Sequence, residues 1–203
     1  MVLARRASEV DVEALSVLLA DAFVDDAMLT WTFPPDSVHE RIRRNFEVLD
    51  RLAAARGWLW TVEGNAAVAL WVPPDTAAEY EEVMAELGPE VATLTEDGGA
   101  RFDSFWGWVE HHRPSEPHWY LDHLAVDRAR RGQGLGVHLV QHGLDRAGED
   151  GTGAFLVTSR PSNVAFYERR GFVIAEEDDA PEGGPHLWFL RWERETRASR
   201  RRT

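Results

Sequence analysis

One run constrains this chain more than any other. An apolar stretch, His118–Val126, leads through Asp127-Arg-Ala-Arg-Arg-Gly-Gln-Gly-Leu-Gly136 into a helical pattern over 137–147. Val137, Val140, Leu144 and Ala147 fall on one face of that helix, and a short apolar strand, Ala154–Thr158, follows. Strand, glycine loop, helix and strand in this order make a unit in which the helix packs back over a sheet. Gly132, Gly134 and Gly136 allow backbone angles closed to other residues, so a ligand can approach the main chain. The N–H groups of the loop and the positive end of the helix suit a pyrophosphate. The glycines alone are also compatible with a tight turn that binds nothing. Two common phosphate loops are excluded. No Gly-Lys-Ser/Thr follows, and glycines evenly spaced by two do not make G-x-G-x-x-G.

The flanking sequence predicts an interleaved fold. Strands are expected over 2–7, 58–62, 66–72, 172–175 and 187–192, besides the two already named. Ser8 opens a helix that buries Leu15, Leu18, Leu19, Ala22 and Phe23, and Ser37 opens another that buries Ile42, Phe46, Leu49 and Ala53. Asp25–Asp36 reads as irregular. Helices are expected over 76–87, 102–112 and 163–170, and an acidic, glycine-rich loop over 176–185. The class is α/β (mixed α+β), with one domain over 1–192, a helical insertion at 76–112 between the third and fourth strands, and a disordered basic tail over 193–203.

Composition removes several functions. The chain has no cysteine, so disulfides, thiolate metal sites and a cysteine nucleophile are out. The net charge is −13, and all 22 basic residues are arginine. Such a chain is a poor general binder of nucleic acid. Solubility is one consequence of the charge, and an acidic mouth that draws in a cationic substrate is another. Residues 1–20 contain Arg5, Arg6, Glu9, Asp11 and Glu13, so no signal-peptide core is expected there. No run approaches the roughly 18 apolar residues of a membrane span. The expectation is a soluble cytoplasmic protein. His138 and His142 flank Leu-Val-Gln and not the glutamate a zinc hydrolase needs, so no metal is expected; G-x-S-x-G is absent.

Two segments carry a family resemblance. Arg131–Gly136 resembles the R/Q-x-x-G-x-G/A signature of the GNAT N-acetyltransferase superfamily, and Leu124–Asp127 matches the end of that family's fourth strand. Asn163–Phe172 resembles its second signature, N…FY…GF. The resemblance spans about residues 2–192. It implies the GNAT acyl-CoA N-acyltransferase fold, with a central mixed sheet of six to seven strands, splayed between strands 4 and 5, and helices on both faces. It implies acetyl-CoA as co-substrate, a small-molecule primary amine as acceptor, direct acetyl transfer, and leaves homodimerisation open. Carried over residue by residue, the pantetheine arm would pair with Leu124, Ala125 and Val126 and face Asn163. The pyrophosphate would lie on Arg131, Gly132, Gln133, Gly134, Leu135 and Gly136. Tyr167 would protonate the leaving thiolate, a suitable task for a phenol. Met84–Pro89, His112–Pro117 and Pro181–Gly183 resemble puromycin N-acetyltransferase-like members, which implies an aminonucleoside or another cationic or aromatic amine. Arg128 stands where the family has a proline. An acyl-CoA-binding protein without turnover and a protein acetyltransferase are the other readings.

An ammonium must lose a proton before it attacks a thioester. Strict alternation along 118–126 places Tyr120, Asp122, Leu124 and Val126 on one face and Leu121, His123 and Ala125 on the other. In many superfamily members a carboxylate or histidine on this strand serves as base, so the resemblance makes Asp122 the first candidate; His123 faces away, and Asp25 and Asp26 are alternatives. Asp25, Asp26, Trp31 and Tyr120 are the expected substrate residues, since aromatics beside carboxylates suit a cation with an apolar body.

Overall fold

The computed structural model describes residues 3–194. Seven strands make one sheet: β1 (Ala4–Arg6), β2 (Leu59–Val62), β3 (Ala67–Val72), β4 (His118–Val126), β5 (Gly153–Thr158), β6 (Val173–Asp179) and β7 (His186–Trp192). Their spatial order is β1-β2-β3-β4-β5-β7-β6, and only β4 and β5 are parallel. The parallel pair exists because the intervening segment is a crossover helix, α6 (Leu135–Asp150).

Helices cover both faces. On one lie α1 (Glu9–Phe23), α2 (Ala27–Thr32), α3 (Val38–Ala55), α4 (Ala77–Leu94) and α5 (Ala100–Glu110), packed over Leu70, Tyr120, Phe155 and Phe189. On the other lie α6 and α7 (Pro161–Glu168), packed over Trp71, Leu121 and Leu156. The helix α6 runs so close to β3 that a Cβ at Gly143 would overlap the Trp71 ring.

Three expectations are corrected. Asp25–Asp36 is not wholly irregular: Asp26 caps α2, its Oδ1 accepting from the N–H groups of Met28 and Leu29 at 3.0 and 3.4 Å. Helix α4 does not stop at Leu87 but runs through Pro89 to Leu94, because Val91 and Leu94 are buried against the core. Glu176–Asp179 belongs to β6 and not to a loop. As an exposed edge strand it tolerates charged side chains. The expected basic tail from residue 195 onward lies outside the described residues.

Two features of β4 position the site. Its pairing with β5 joins only His118–Leu121 to Gly153–Leu156, so the two strands part beyond Leu121 while β4 continues beside β3. Along β3, Leu70 faces His123 and Trp71 faces Leu121, which leaves Asp122 as the extra residue of a bulge. The bulge inverts the alternation. Tyr120 faces the α1–α5 side, yet Leu124 and Val126 pack on the α6 side and Ala125 on the α1–α5 side. The expected sharing of one face by Tyr120, Asp122, Leu124 and Val126 is therefore wrong, and Asp122 and His123 both border one chamber on the α1–α5 side.

Candidate active site

The parting of β4 from β5 opens a cleft of about 550 Å³. Leu124, Ala125 and Val126 form one wall, and Asn163, Phe166 and Tyr167 of α7 form the other. The glycine loop closes one end with Arg131, Gly132, Gly134, Leu135 and Gly136, and Asp26 and Arg160 also line the cleft. Beyond Leu121, one edge of β4 has no strand partner among the described residues, and such an edge pairs readily with an amide-bearing chain.

The loop is built for an anion. Val126 is followed by an Asp127 turn whose side chain accepts from Ala129 N–H at 2.8 Å. Gly132 and Gly134 then adopt φ +77° and +80°, and a Cβ at either would meet nothing within 4 Å. These positions therefore need glycine for their backbone angle, and the space above them is free for a ligand. Helix α6 starts directly after, with its unpaired N–H groups toward the same end. Gln133 sits apart from this lining: its Oε1 accepts from Arg130 Nε at 2.9 Å on the outer side.

Tyr167 is buried with its ring edge-on to Phe166 and Phe172, at centroid distances of 5.1 and 5.6 Å. Burial pushes its phenol well above the ordinary value, so the group holds its proton at any physiological pH. Asn163 Nδ2 donates to Thr158 Oγ1 at 3.0 Å, which fixes its amide at the cleft wall.

The carboxylates separate into distinct environments. Asp26 is buried, and burial pushes its pKa up against the opposing charge of Arg160. Ser159 Oγ donates to its Oδ2 at 3.2 Å, and Arg160 Nε lies 3.6 Å away. Asp25 is exposed and outside the cleft; its 2.6 Å bond to Arg160 Nη2 holds its carboxyl below the usual range. Asp122 does not line the cleft. It lies behind it, with Oδ1 accepting from His123 Nδ1 at 2.9 Å and Oδ2 from the Tyr80 hydroxyl at 2.5 Å. Burial alone would raise its pKa, but the His123 bond and charge and the Tyr80 hydroxyl hold it below the ordinary value. His123 in turn has Nε2 3.2 Å from Asp50 Oδ1. Sequence reasoning missed Asp50: it sits on the buried face of α3, where an acid is a signal only once its partner is known.

Two expected substrate residues lie elsewhere. Tyr120 is in the core, edge-on to Tyr80 and beneath the Arg113 guanidinium at 3.8 Å, and lines neither the cleft nor the chamber behind it. Trp31 packs 5.7 Å from Phe105 with Arg101 stacked over it at 5.2 Å. His138 Nε2 accepts from Ala4 N–H at 3.1 Å, a structural role. Among the described residues no group of three His, Asp or Glu is arranged to hold a metal ion, and no helix is long and apolar enough to cross a membrane.

The solved structures similar to this chain share its layout. One, described as histone acetyltransferase HPA2 and related acetyltransferase from Corynebacterium glutamicum, has a TM-score of 0.73 and 24% identity, covering 96% of this chain and 97% of that one. A Drosophila melanogaster polyamine N-acetyltransferase that catalyses formation of N-acetylagmatine has a TM-score of 0.58 and 16% identity over 96% and 100% of the two chains. A mosquito arylalkylamine N-acetyltransferase, like 5b, gives 0.54 and 14% over 94% and 99%. At these identities the likeness is one of fold. Residues 71–172, half of the chain and the part that builds β4, the glycine loop, α6, β5 and α7, match the family model for acetyltransferases of the GNAT family. The chain belongs to the GNAT acetyltransferase family.

Proposed function

We propose that this protein transfers the acetyl group of acetyl-CoA directly to a primary amine of a small molecule. The observation that carries this reading is the cleft itself. A free strand edge, a glycine cradle with open space above it, and a buried phenol line one continuous space. The edge of Leu124–Val126 that faces away from β3 would bind the pantetheine amides, with Asn163 opposite. The N–H groups between Arg131 and Gly136 would hold the pyrophosphate, aided by the Arg131 charge. Arg131 gives a polyanion local attraction on an otherwise acidic protein.

In the transfer, the amine nitrogen bonds to the thioester carbonyl carbon and the carbon–sulfur bond breaks. The Tyr167 phenol gives its proton to the departing sulfur. The proton shed by the amine goes to Asp26. A carboxylate raised by burial is a stronger base than one pinned low, and Asp26 lines the cleft whereas Asp122 does not; Asp26 Oδ1 caps α2, so Oδ2, beside Ser159 and Arg160, is the atom that takes the proton. This moves the base from Asp122, favoured on sequence, to the alternative in the front segment. The test is thiol release with acetyl-CoA and a panel of amines, including an aminonucleoside because of the segments that resemble puromycin N-acetyltransferase-like members. Release with at least one amine supports the reading. Acetyl-CoA binding without release for any amine would favour a binding protein without turnover.

A further inference from the structure

Beside the cleft lies a second, partly open chamber of about 50 Å³, and Phe23 and Asp26 line both. Its walls are apolar: Phe46, Phe102 and Trp106 on one part, Leu49, Met84 and Leu87 on another. A water needs ~10–15 Å³ of such space. The chamber therefore has room for a chain of roughly three to five non-hydrogen atoms.

Its polar groups are the informative part. At the floor, both Asp122 oxygens are taken, one by His123 and one by the Tyr80 hydroxyl, and the other nitrogen of His123 faces Asp50. Arg113 lies over the Tyr80 and Tyr120 rings at 5.0 and 3.8 Å and adds further positive charge nearby. A second ammonium pushed into this floor would meet the His123 ring and an Asp122 whose two oxygens already accept, while Asp50, whose oxygens accept no hydrogen bond among the described residues, lies behind His123 and does not line the chamber. Asn45 is different. It lines the chamber, is 3% exposed, and its buried amide oxygen has no hydrogen-bond partner among the described residues. Burying such a group unpaired is costly, and buried polar groups are normally satisfied. An amide beside an apolar tunnel of this length is matched by a neutral hydrogen-bonding group at the far end of a short ligand.

We propose that the acceptor is a compact primary amine with an apolar middle of up to about four atoms and a neutral hydroxyl end, and that Asn45 reads that end. This rests on the acetyl-transfer reading, with the reacting nitrogen at Asp26. It favours an amino alcohol over a polyamine and over an aminonucleoside too large for the chamber.

Three probes of equal size separate the cases: 4-amino-1-butanol, n-pentylamine and 1,4-diaminobutane. Thiol release is measured for each in wild type and Asn45→Leu, with acetyl-CoA affinity followed by calorimetry and CoA-dependent thermal stabilisation as a second readout. In wild type kcat/KM for the amino alcohol should exceed that for n-pentylamine by about tenfold, the size of one hydrogen bond, and that for the diamine by more. In Asn45→Leu the alcohol-to-alkyl ratio should fall to about one. A preference for the diamine, or an alcohol-to-alkyl ratio unchanged in Asn45→Leu, overturns the inference. So does acetyl-CoA binding with neither turnover nor added thermal stability from any of the three, an outcome that leaves the transfer reading standing. Absence of acetyl-CoA binding overturns the transfer reading instead. If Asn45→Leu does not fold, the wild-type order of the three probes alone decides.

Discussion

Raising the pH through the range 7–10 should weaken this fold at one place, the His123 imidazole. The ring is 4% exposed and lies between Asp122 Oδ1 at 2.9 Å and Asp50 Oδ1 at 3.2 Å. Burial alone disfavours the imidazolium, but the Asp50 charge and the Asp122 bond outweigh it and move the pKa from 6.5 to about 9. The folded-state value lies above the unfolded one. The stabilisation is thus fully present below about pH 6.5 and lost as pH rises through about 9. At ~1.4 kcal/mol per pH unit, the difference between 6.5 and about 9 amounts to roughly 3 kcal/mol as an upper figure. Urea unfolding in steps from pH 6 to pH 10.5, on wild type and His123→Gln, isolates this term as the difference between the two curves. The wild-type excess should shrink across pH 7–9.5. The imidazole carbon resonance of His123, followed by NMR, gives the pKa without any variant. Parallel stability curves, or a His123 resonance titrating near 6.5, would refute the reasoning.

Tyr167→Phe keeps the ring packing and removes the proton donor, so kcat should fall about tenfold, below the usual ~10²–10⁴-fold of general acid catalysis because a thiolate leaves readily, with the acetyl-CoA Kd unchanged; weakened binding at normal kcat would make Tyr167 a binding residue. Asp26→Asn retains a good helix cap, so the fold should survive while kcat falls by about 100-fold or more, most steeply at low pH; Asp122→Asn should lower it by less than about tenfold. The reverse order would return the base to Asp122. Gly143→Ala should lower Tm by roughly 2–8 °C in a thermal scan, because the gain in helix propensity is smaller than the cost of displacing Trp71. An unchanged Tm would mean that α6 is not held so close to β3.

The central unit was legible because its signals are local. The strand over His118–Val126 coincides with β4, and the glycine loop and crossover helix follow where periodicity and turn chemistry place them. The faces of β4 were not legible beyond Leu121. A bulge is a property of register between two strands, and nothing in His118–Val126 by itself announces that Asp122 is the extra residue. The same slip changed the reading of Asp122 and His123, which alternation set on opposite sides and the bulge brings to one chamber. Asp26 was visible as an acid in the front segment, but the partners of its Oδ2, Ser159 and Arg160, lie far away in sequence. Asp50 and Asn45 were hidden by residence on a regular amphipathic helix, where polar residues on the inner face stand out only in the folded protein.

The central claim is that the glycine loop and the free edge of β4 hold acetyl-CoA. Calorimetric titration of acetyl-CoA into wild type and Gly134→Asp tests it directly. Gly134 adopts φ +80° with open space above it, so aspartate there brings strain and a negative charge to the expected pyrophosphate position. Binding of one acetyl-CoA per chain to wild type, and its loss in a Gly134→Asp variant that retains its circular dichroism, is the predicted result. Equal affinity in the two proteins, or no binding to wild type, would contradict it.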